Sequence, residues 1–252
     1  MENKKIIYYK QLDSTNLEIA RLAAQGASHG TVVVAQEQTA GKGRRGRSWE
    51  SPAGENIYMS ILLRPKFAPD KAPMLTLVMA YSVAEVIKQQ GFPEVQIKWP
   101  NDLVLSGKKI CGILTEMQLN GSEVDHVVVG VGINVNTRKF PSELEDKATS
   151  LLLESGKQFE RETIVQKVVG HFENAYQQFV KEQDLSFLQK VYNTMLVNAG
   201  KEVRVLEPGN EYMAYAQGIN SRGELLVRTS EGEEKAVYAG EVSVRGIYGY
   251  IR

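Results

Sequence analysis

The chain opens with an apolar run, Ile6-Ile7-Tyr8-Tyr9, which predicts a first strand over residues 6–10. Thr15-x-x-Glu18 carries the signature of a capping box and opens a helix that runs to about Gln25. Gly26 and Gly30 bracket the turn into residues 31–35, an apolar run of buried-strand length. A polar, glycine-rich loop fills 39–54. Beyond it Ile57, Met59, Ile61 and Leu63 alternate with Tyr58, Ser60 and Leu62, which predicts a strand buried on at least one face.

A helical pattern over 73–90 is stopped by Gly91 and Pro93. Strand patterns follow at 95–99, at 104–118 with a turn at Ser106-Gly107, and at 125–135. Asn120-Gly121 is a hairpin signal between the last two. Residues 161–182 and 185–197 are helical in pattern. After Gly200 the character changes to short strands near Val203, Tyr215, Leu226, Val237 and Val244, separated by Pro208-Gly209, Ser221-Arg222-Gly223 and Gly232. Such spacing predicts a small all-β barrel or sandwich. The expected organisation is α+β: a domain of strands and helices over 1–198 and a small β domain over 199–252.

Composition narrows the function classes. Lysine plus arginine (30) equals aspartate plus glutamate (30), whereas a chain that lives by binding nucleic acid usually carries a basic surplus. The single cysteine, Cys111, has no internal disulfide partner and sits among Ile110, Gly112, Ile113 and Leu114, the setting of an inert buried thiol. The N-terminus shows no signal-peptide pattern. The longest apolar stretch, 74–83, is interrupted by Thr76 and Ser82, and a membrane span needs about 20 apolar residues. These features predict a soluble cytoplasmic protein with no membrane partner.

Four clusters carry candidate chemistry. In Gly41-Lys42-Gly43-Arg44-Arg45-Gly46-Arg47, glycines let the backbone approach an anion and four cations stand among them. Taken alone, a flexible solvated loop is the commoner meaning of such a stretch. Lys98-Trp99-Pro100-Asn101-Asp102 ends a buried strand on a lysine, which is costly unless the ammonium meets an anion. A snorkelling edge lysine is the ordinary alternative. Gly130-Val131-Gly132-Ile133-Asn134 places glycines inside an apolar strand, a sign of close approach by a ligand or by neighbouring chain. Asp13-Ser14-Thr15-Asn16 offers hydroxyls and an amide to a polar ligand, or simply to a helix start.

The order and spacing of these clusters resemble the biotin–protein ligase family. The resemblance rests on Ser14-Thr15-Asn16, the run Gln38 to Trp49, Lys98-Trp99-Pro100-Asn101-Asp102, the run Lys109 to Glu116, and Gly130 to Asn134. It is specific across 13–134 and looser beyond. It implies a large α+β domain related to class II aminoacyl-tRNA synthetases, a mixed sheet with helices, and an SH3-like C-terminal barrel.

The implied chemistry has two steps. Biotin attacks the α-phosphate of ATP to give biotinyl-5′-AMP, and a lysine of an acceptor protein then displaces AMP. By resemblance, Lys98 and Arg44 lie at the carboxylate–phosphate junction, and Lys42 and Gly43 belong to the ligand-covering loop. Ser14, Thr15, Asn16 and Gln38 hold biotin over a floor of Gly112, Gly130 and Gly132. Gly41, Arg45 and Asn134 join Arg44 and Lys98 around the nucleotide, and Trp49 packs over the closed loop. Mg²⁺ accompanies ATP, and no residue set is assigned to a dedicated metal cage. The implied acceptor is the biotin-carrier domain of a carboxylase, acetyl-CoA or pyruvate carboxylase, and the ligase is a monomer or homodimer.

The family loop often reads Gly-Arg-Gly-Arg-x-Gly, so Lys42 keeps the charge and loses bidentate geometry. The chain starts at the first catalytic strand, so no DNA-binding repressor function is expected. The nearest rival is a lipoate–protein ligase, whose Arg-Arg-…-Gly-Gly-Gly pattern is missing here. A non-enzymatic adenylate-binding or biotin-binding regulator and a nucleic-acid module using Arg44, Arg45 and Arg47 stand further off.

Overall fold

A computed structural model describes residues 5–207, 209–239 and 243–246. Its first elements are β1 (Ile6–Tyr9), α1 (Thr15–Ala24), β2 (Val32–Ala35) and β3 (Ile57–Leu63). Then come α2 (Met74–Gln89), β4 (Gln96–Lys98), β5 (Asp102–Leu105), β6 (Lys108–Asn120) and β7 (Glu123–Ile133). Helices α3 (Leu151–Ser155), α4 (Arg161–Glu182) and α5 (Ser186–Met195) follow. The chain closes with β8 (Lys201–Glu207), β9 (Asn210–Ile219), β10 (Leu225–Thr229), β11 (Glu234–Val237) and β12 (Ser243–Gly246).

By packing, the chain divides into two compact units, 1–72 with 110–167, and 73–109 with 168–252. In the first, β1 runs parallel to β2, and β2–β3, β3–β7 and β7–β6 are antiparallel. Every residue of β3 is buried, so its alternation marks two covered faces. Helix α1 lies on one of them. Its Ile19 and Ala23 pack with Val33, Leu62 and Val128 in one apolar cluster. In the second unit β4 and β5 form a hairpin, α2 is buried along most of its length, and β11-β10-β9-β8-β12 make an antiparallel sheet. The α+β class is therefore as expected, with a mixed sheet and a small antiparallel C-terminal sheet.

Two local expectations are corrected. Thr15-x-x-Glu18 forms no capping box: Ser14 is the N-cap, and Glu18 instead accepts from Tyr9 Oη at 3.1 Å and pairs with Arg21. The β6–β7 hairpin turns on Gly121-Ser122, one residue later than Asn120-Gly121, because Asn120 pairs with Glu123. The five-residue helix α3 lies between the patterns at 125–135 and 161–182, where no element was assigned from sequence. Gly209 is described, while Pro208 of the expected Pro208-Gly209 turn lies outside the described residues.

Candidate active site

Antiparallel pairing sets residues of neighbouring strands side by side, and alternate residues along each strand share a face. On the α1 face three rows follow one another. Leu62 and Val128 make an apolar row under the middle of α1. Ser60, Gly130 and Leu114 make the next, and Tyr58, Gly132 and Gly112 the third.

The glycines leave gaps in this face, and two side chains of the protein occupy them. A Cβ on Gly130 would overlap the carboxamide of Asn16, and one on Gly132 would stand 2.5 Å from the Trp49 ring. Gly130 and Gly132 were expected to floor a ligand pocket. In this structure they seat Asn16 and Trp49.

Around Asn16 runs a buried polar network. Asn16 Nδ2 donates to Glu116 Oε2 at 2.7 Å and approaches the Leu114 carbonyl at 3.4 Å. Ser60, wholly buried in β3, donates to Asn16 Oδ1 at 2.6 Å and lies 2.8 Å from Thr15 Oγ1. The Thr15 N–H donates to Gln38 Oε1 at 2.8 Å, and Gln38 Nε2 reaches Ser51 Oγ at 3.0 Å. Ser51 in turn donates to the Trp49 carbonyl at 2.9 Å. Ser14 is buried, and its hydroxyl makes no cap bond to the helix.

The cationic loop is a narrow ribbon. Trp49 N–H donates to the Gly41 carbonyl at 2.9 Å, Lys42 bridges to Ser48, and Gly43 N–H donates to the Arg47 carbonyl at 2.7 Å. The ribbon turns through Arg44-Arg45-Gly46, with Arg45 in the left-handed region (φ 59°, ψ 41°). Lys42, Arg45 and Arg47 are exposed at its rim and Arg44 is half-buried. Ser14, Thr15, Asn16, Gln38, Gly41 to Arg45, Gly112, Gly130, Gly132 and Asn134 thus all belong to the first unit.

Asn134 follows β7 and donates through Nδ2 to the Thr149 carbonyl at 3.1 Å, a structural bond that ties this end of the strand down. Lys98 belongs to the second unit. It is the last residue of β4, buried to 8% exposure, and pairs in register with Asp102. Asp102 makes a 2.6 Å ion pair with Lys109. Trp99, next to Lys98, donates its indole N–H to the Gly223 carbonyl at 3.0 Å, and its backbone N–H to Asn198 Oδ1 at 2.9 Å.

Residues 8–134 match the model of the biotin/lipoate A/B protein ligase family, and 199–245 match the biotin protein ligase C-terminal domain. The chain belongs to the biotin/lipoate A/B protein ligase family. It is 36% identical over 241 residues to the bifunctional ligase/repressor BirA of Bacillus subtilis, covering 95% of this chain and 74% of that one. It is 32% identical to the biotin–[acetyl-CoA-carboxylase] ligase of Paracoccus denitrificans over 93% of this chain and 98% of that one. A biotin protein ligase from Aquifex aeolicus, solved in complex with biotin and ATP, superposes with a TM-score of 0.84 at 33% identity. That alignment covers 97% of this chain and 100% of that structure.

Ser60, Ser51 and Glu116, which join the network around Asn16 and Gln38, were given no role from sequence. Ser60 had a signal: it is the one small polar residue of its strand, whose only other hydroxyl belongs to Tyr58. Glu116 closed a motif run without a role of its own. Among the described residues no group of three or more His, Cys, Asp or Glu side chains is placed to hold a metal. Among the same residues, no helix is long and apolar enough to cross a membrane.

Proposed function

We propose that this chain is an ATP-dependent biotin–protein ligase. The carboxylate oxygen of biotin attacks the α-phosphorus of ATP, forming a mixed anhydride and expelling pyrophosphate. An acceptor lysine amine then attacks the acyl carbon, forming an amide, releasing AMP and losing its proton. The observation that carries the reading is the polar row on an apolar sheet face: Thr15 bonded to Gln38, and Thr15 and Asn16 joined through Ser60, beside a loop with four cations. A small apolar bicycle with one polar edge needs such a site, mostly greasy with a few placed partners.

Each residue has a task in this reading. Ser14, Thr15 and Gln38 meet the ureido edge, and Gly112 lines the same face. Asn16 stands behind Thr15, seated on Gly130. Gly41, Lys42, Gly43, Arg44 and Arg45 close over the ligands, and the loop shields the anhydride from water. Arg44 and Lys98 supply positive charge for the negative charge that builds on the phosphate oxygens. Asn134 stands with the nucleotide group. Mg²⁺ arrives as part of the MgATP substrate, since Mg²⁺ is commonly held by one or two carboxylates plus substrate phosphates.

The acceptor we assign is a lysine in the biotin-carrier domain of a carboxylase, supported by the Paracoccus relative's name. Residues 199–252 form the second domain in this reading, supported by the family match to 199–245. The lone buried thiol suits a cytoplasmic setting.

The test is pyrophosphate release from MgATP with biotin, with lipoate and with no acid. Release with biotin alone is expected. Release with lipoate moves the chain to the lipoate branch of its family, and release with neither overturns the reading.

A further inference from the structure

Glu116 and Ser60 both touch the Thr15–Asn16 pair, and together they fix which way its protons point. The logic starts at Glu116. A carboxylate has no proton to give, and neither has the Leu114 carbonyl, so the side-chain atom of Asn16 that faces both must be its nitrogen. Asn16 Oδ1 therefore faces Ser60, and the single Ser60 proton goes to it across 2.6 Å. The 2.8 Å contact between Ser60 Oγ and Thr15 Oγ1 must then hold the Thr15 proton. Otherwise two bare oxygens would meet inside the core.

Gln38 Oε1 stays satisfied by the Thr15 N–H at 2.8 Å, and its 3.1 Å approach to Thr15 Oγ1 is the longer of the two hydroxyl contacts. The chain runs Thr15 to Ser60 to Asn16 to Glu116. The Thr15 oxygen is left with lone pairs only.

We propose that Ser60 and Glu116 are positioning residues that make the Thr15 hydroxyl an obligatory acceptor for a ligand N–H, and so set specificity for a ureido ring. This rests on the biotin-ligase reading. An acid whose ring carries no N–H would leave a buried acceptor unmet, and a site built around a polar partner rejects analogues that lack it. Ser60 and Gly130 are paired in register, so the hydroxyl and the notch that seat Asn16 come from neighbouring strands at one level of the sheet. The polarity is thus written into β3 and β7 and does not depend on the loop.

The experiment is biotin-dependent ATP–pyrophosphate exchange by the full chain and its variants Ser60→Ala, Glu116→Ala and Glu116→Gln. Losing one fixed hydrogen bond of this kind is expected to raise KM for biotin about 10-fold in the two alanine variants. KM for ATP and kcat should stay within about two-fold of the parent. Glu116→Gln should restore the parent KM, since its Oε1 accepts from Asn16 as the carboxylate does. Glu116 is exposed, so its variants test the idea even if Ser60→Ala folds poorly.

A second arm uses biotin methylated at its ureido nitrogens. The parent should discriminate against it, and Ser60→Ala should discriminate much less, because a Thr15 hydroxyl released from Ser60 can rotate and no longer holds lone pairs fixed toward the ligand. A merely structural role would leave that discrimination untouched. Unchanged biotin KM in both alanine variants, or equal discrimination by parent and Ser60→Ala, overturns the proposal while the ligase reading stands. A parent that shows no biotin-dependent exchange overturns both.

Discussion

Two helices of the first unit begin on a buried serine, and the two serines are used in opposite ways. Ser150 caps α3: its Oγ accepts from the Leu153 N–H at 3.1 Å and donates to the Thr137 carbonyl at 2.6 Å. Its polar capacity is spent inside the fold. Ser14 stands at the same position of α1 and makes no such bond. There the first helical N–H is met from a distance, by Gln38 Oε1 from the far side of β2 in sequence. Remote capping leaves the hydroxyls of Ser14 and Thr15 for other work while the helix start is still satisfied. One helix start spends its serine on the helix; the other leaves its serine out of the cap, as the proposed ligand site requires.

Changes at the two helix starts should therefore separate activity from stability. The largest effect is expected for Gly130→Ala, whose Cβ displaces Asn16 and with it Thr15. A misplacement of this order costs about 10²-fold, read as kcat/KM for biotin in pyrophosphate exchange. Next is Gln38→Leu, which removes the proposed ligand contact and the remote cap together. It should lower kcat/KM about 10-fold and the unfolding free energy by about 1 kcal/mol, measured by denaturant titration.

Ser150→Ala should cost about 1 kcal/mol in the same titration and leave biotin KM alone, since only a cap is lost. Equal loss of activity in Ser150→Ala and Gln38→Leu would erase the distinction between the two helices. The smallest effect concerns Asp13, whose carboxyl is held below its ordinary value of 3.8 chiefly by the Arg21 side chain, against some desolvation. A lowered folded pKa gives stability that is complete above 3.8 and lost as pH falls through the folded value. Asp13→Asn should melt slightly below the parent at pH 7, and the gap should close only below pH 3.8 in thermal melts.

Much of this architecture can be read from periodicity. The alternation from Ile57 to Leu63 and the helical stretch 161–182 correspond to β3 and α4. What escapes is whatever depends on which partner a side chain finds once the chain has folded. Glu18 has the spacing of a capping box, yet the Tyr9 hydroxyl and Arg21 compete for its carboxylate and win. The meaning of Gly130 and Gly132 needs α1 and the loop to be folded back onto β7, which no local pattern encodes. Ser60 is one hydroxyl among apolar neighbours, and only the depth of its burial shows that it must be bonded. The candidate site was legible as a set of motifs; its proton directions were not.

One bond in the second unit bears on what can replace the C-terminal sheet. Trp99 stands beside Lys98, is almost wholly enclosed, and gives its indole proton to the backbone carbonyl of Gly223, in the segment between β9 and β10. By sheet membership the strands after Lys201 are a separate module; by this bond they are not. A chain shortened after Asn198 would lose the acceptor of the Trp99 indole N–H, beside the buried Lys98. A replacement C-terminal sheet would have to return a carbonyl to that same place to keep the indole N–H bonded.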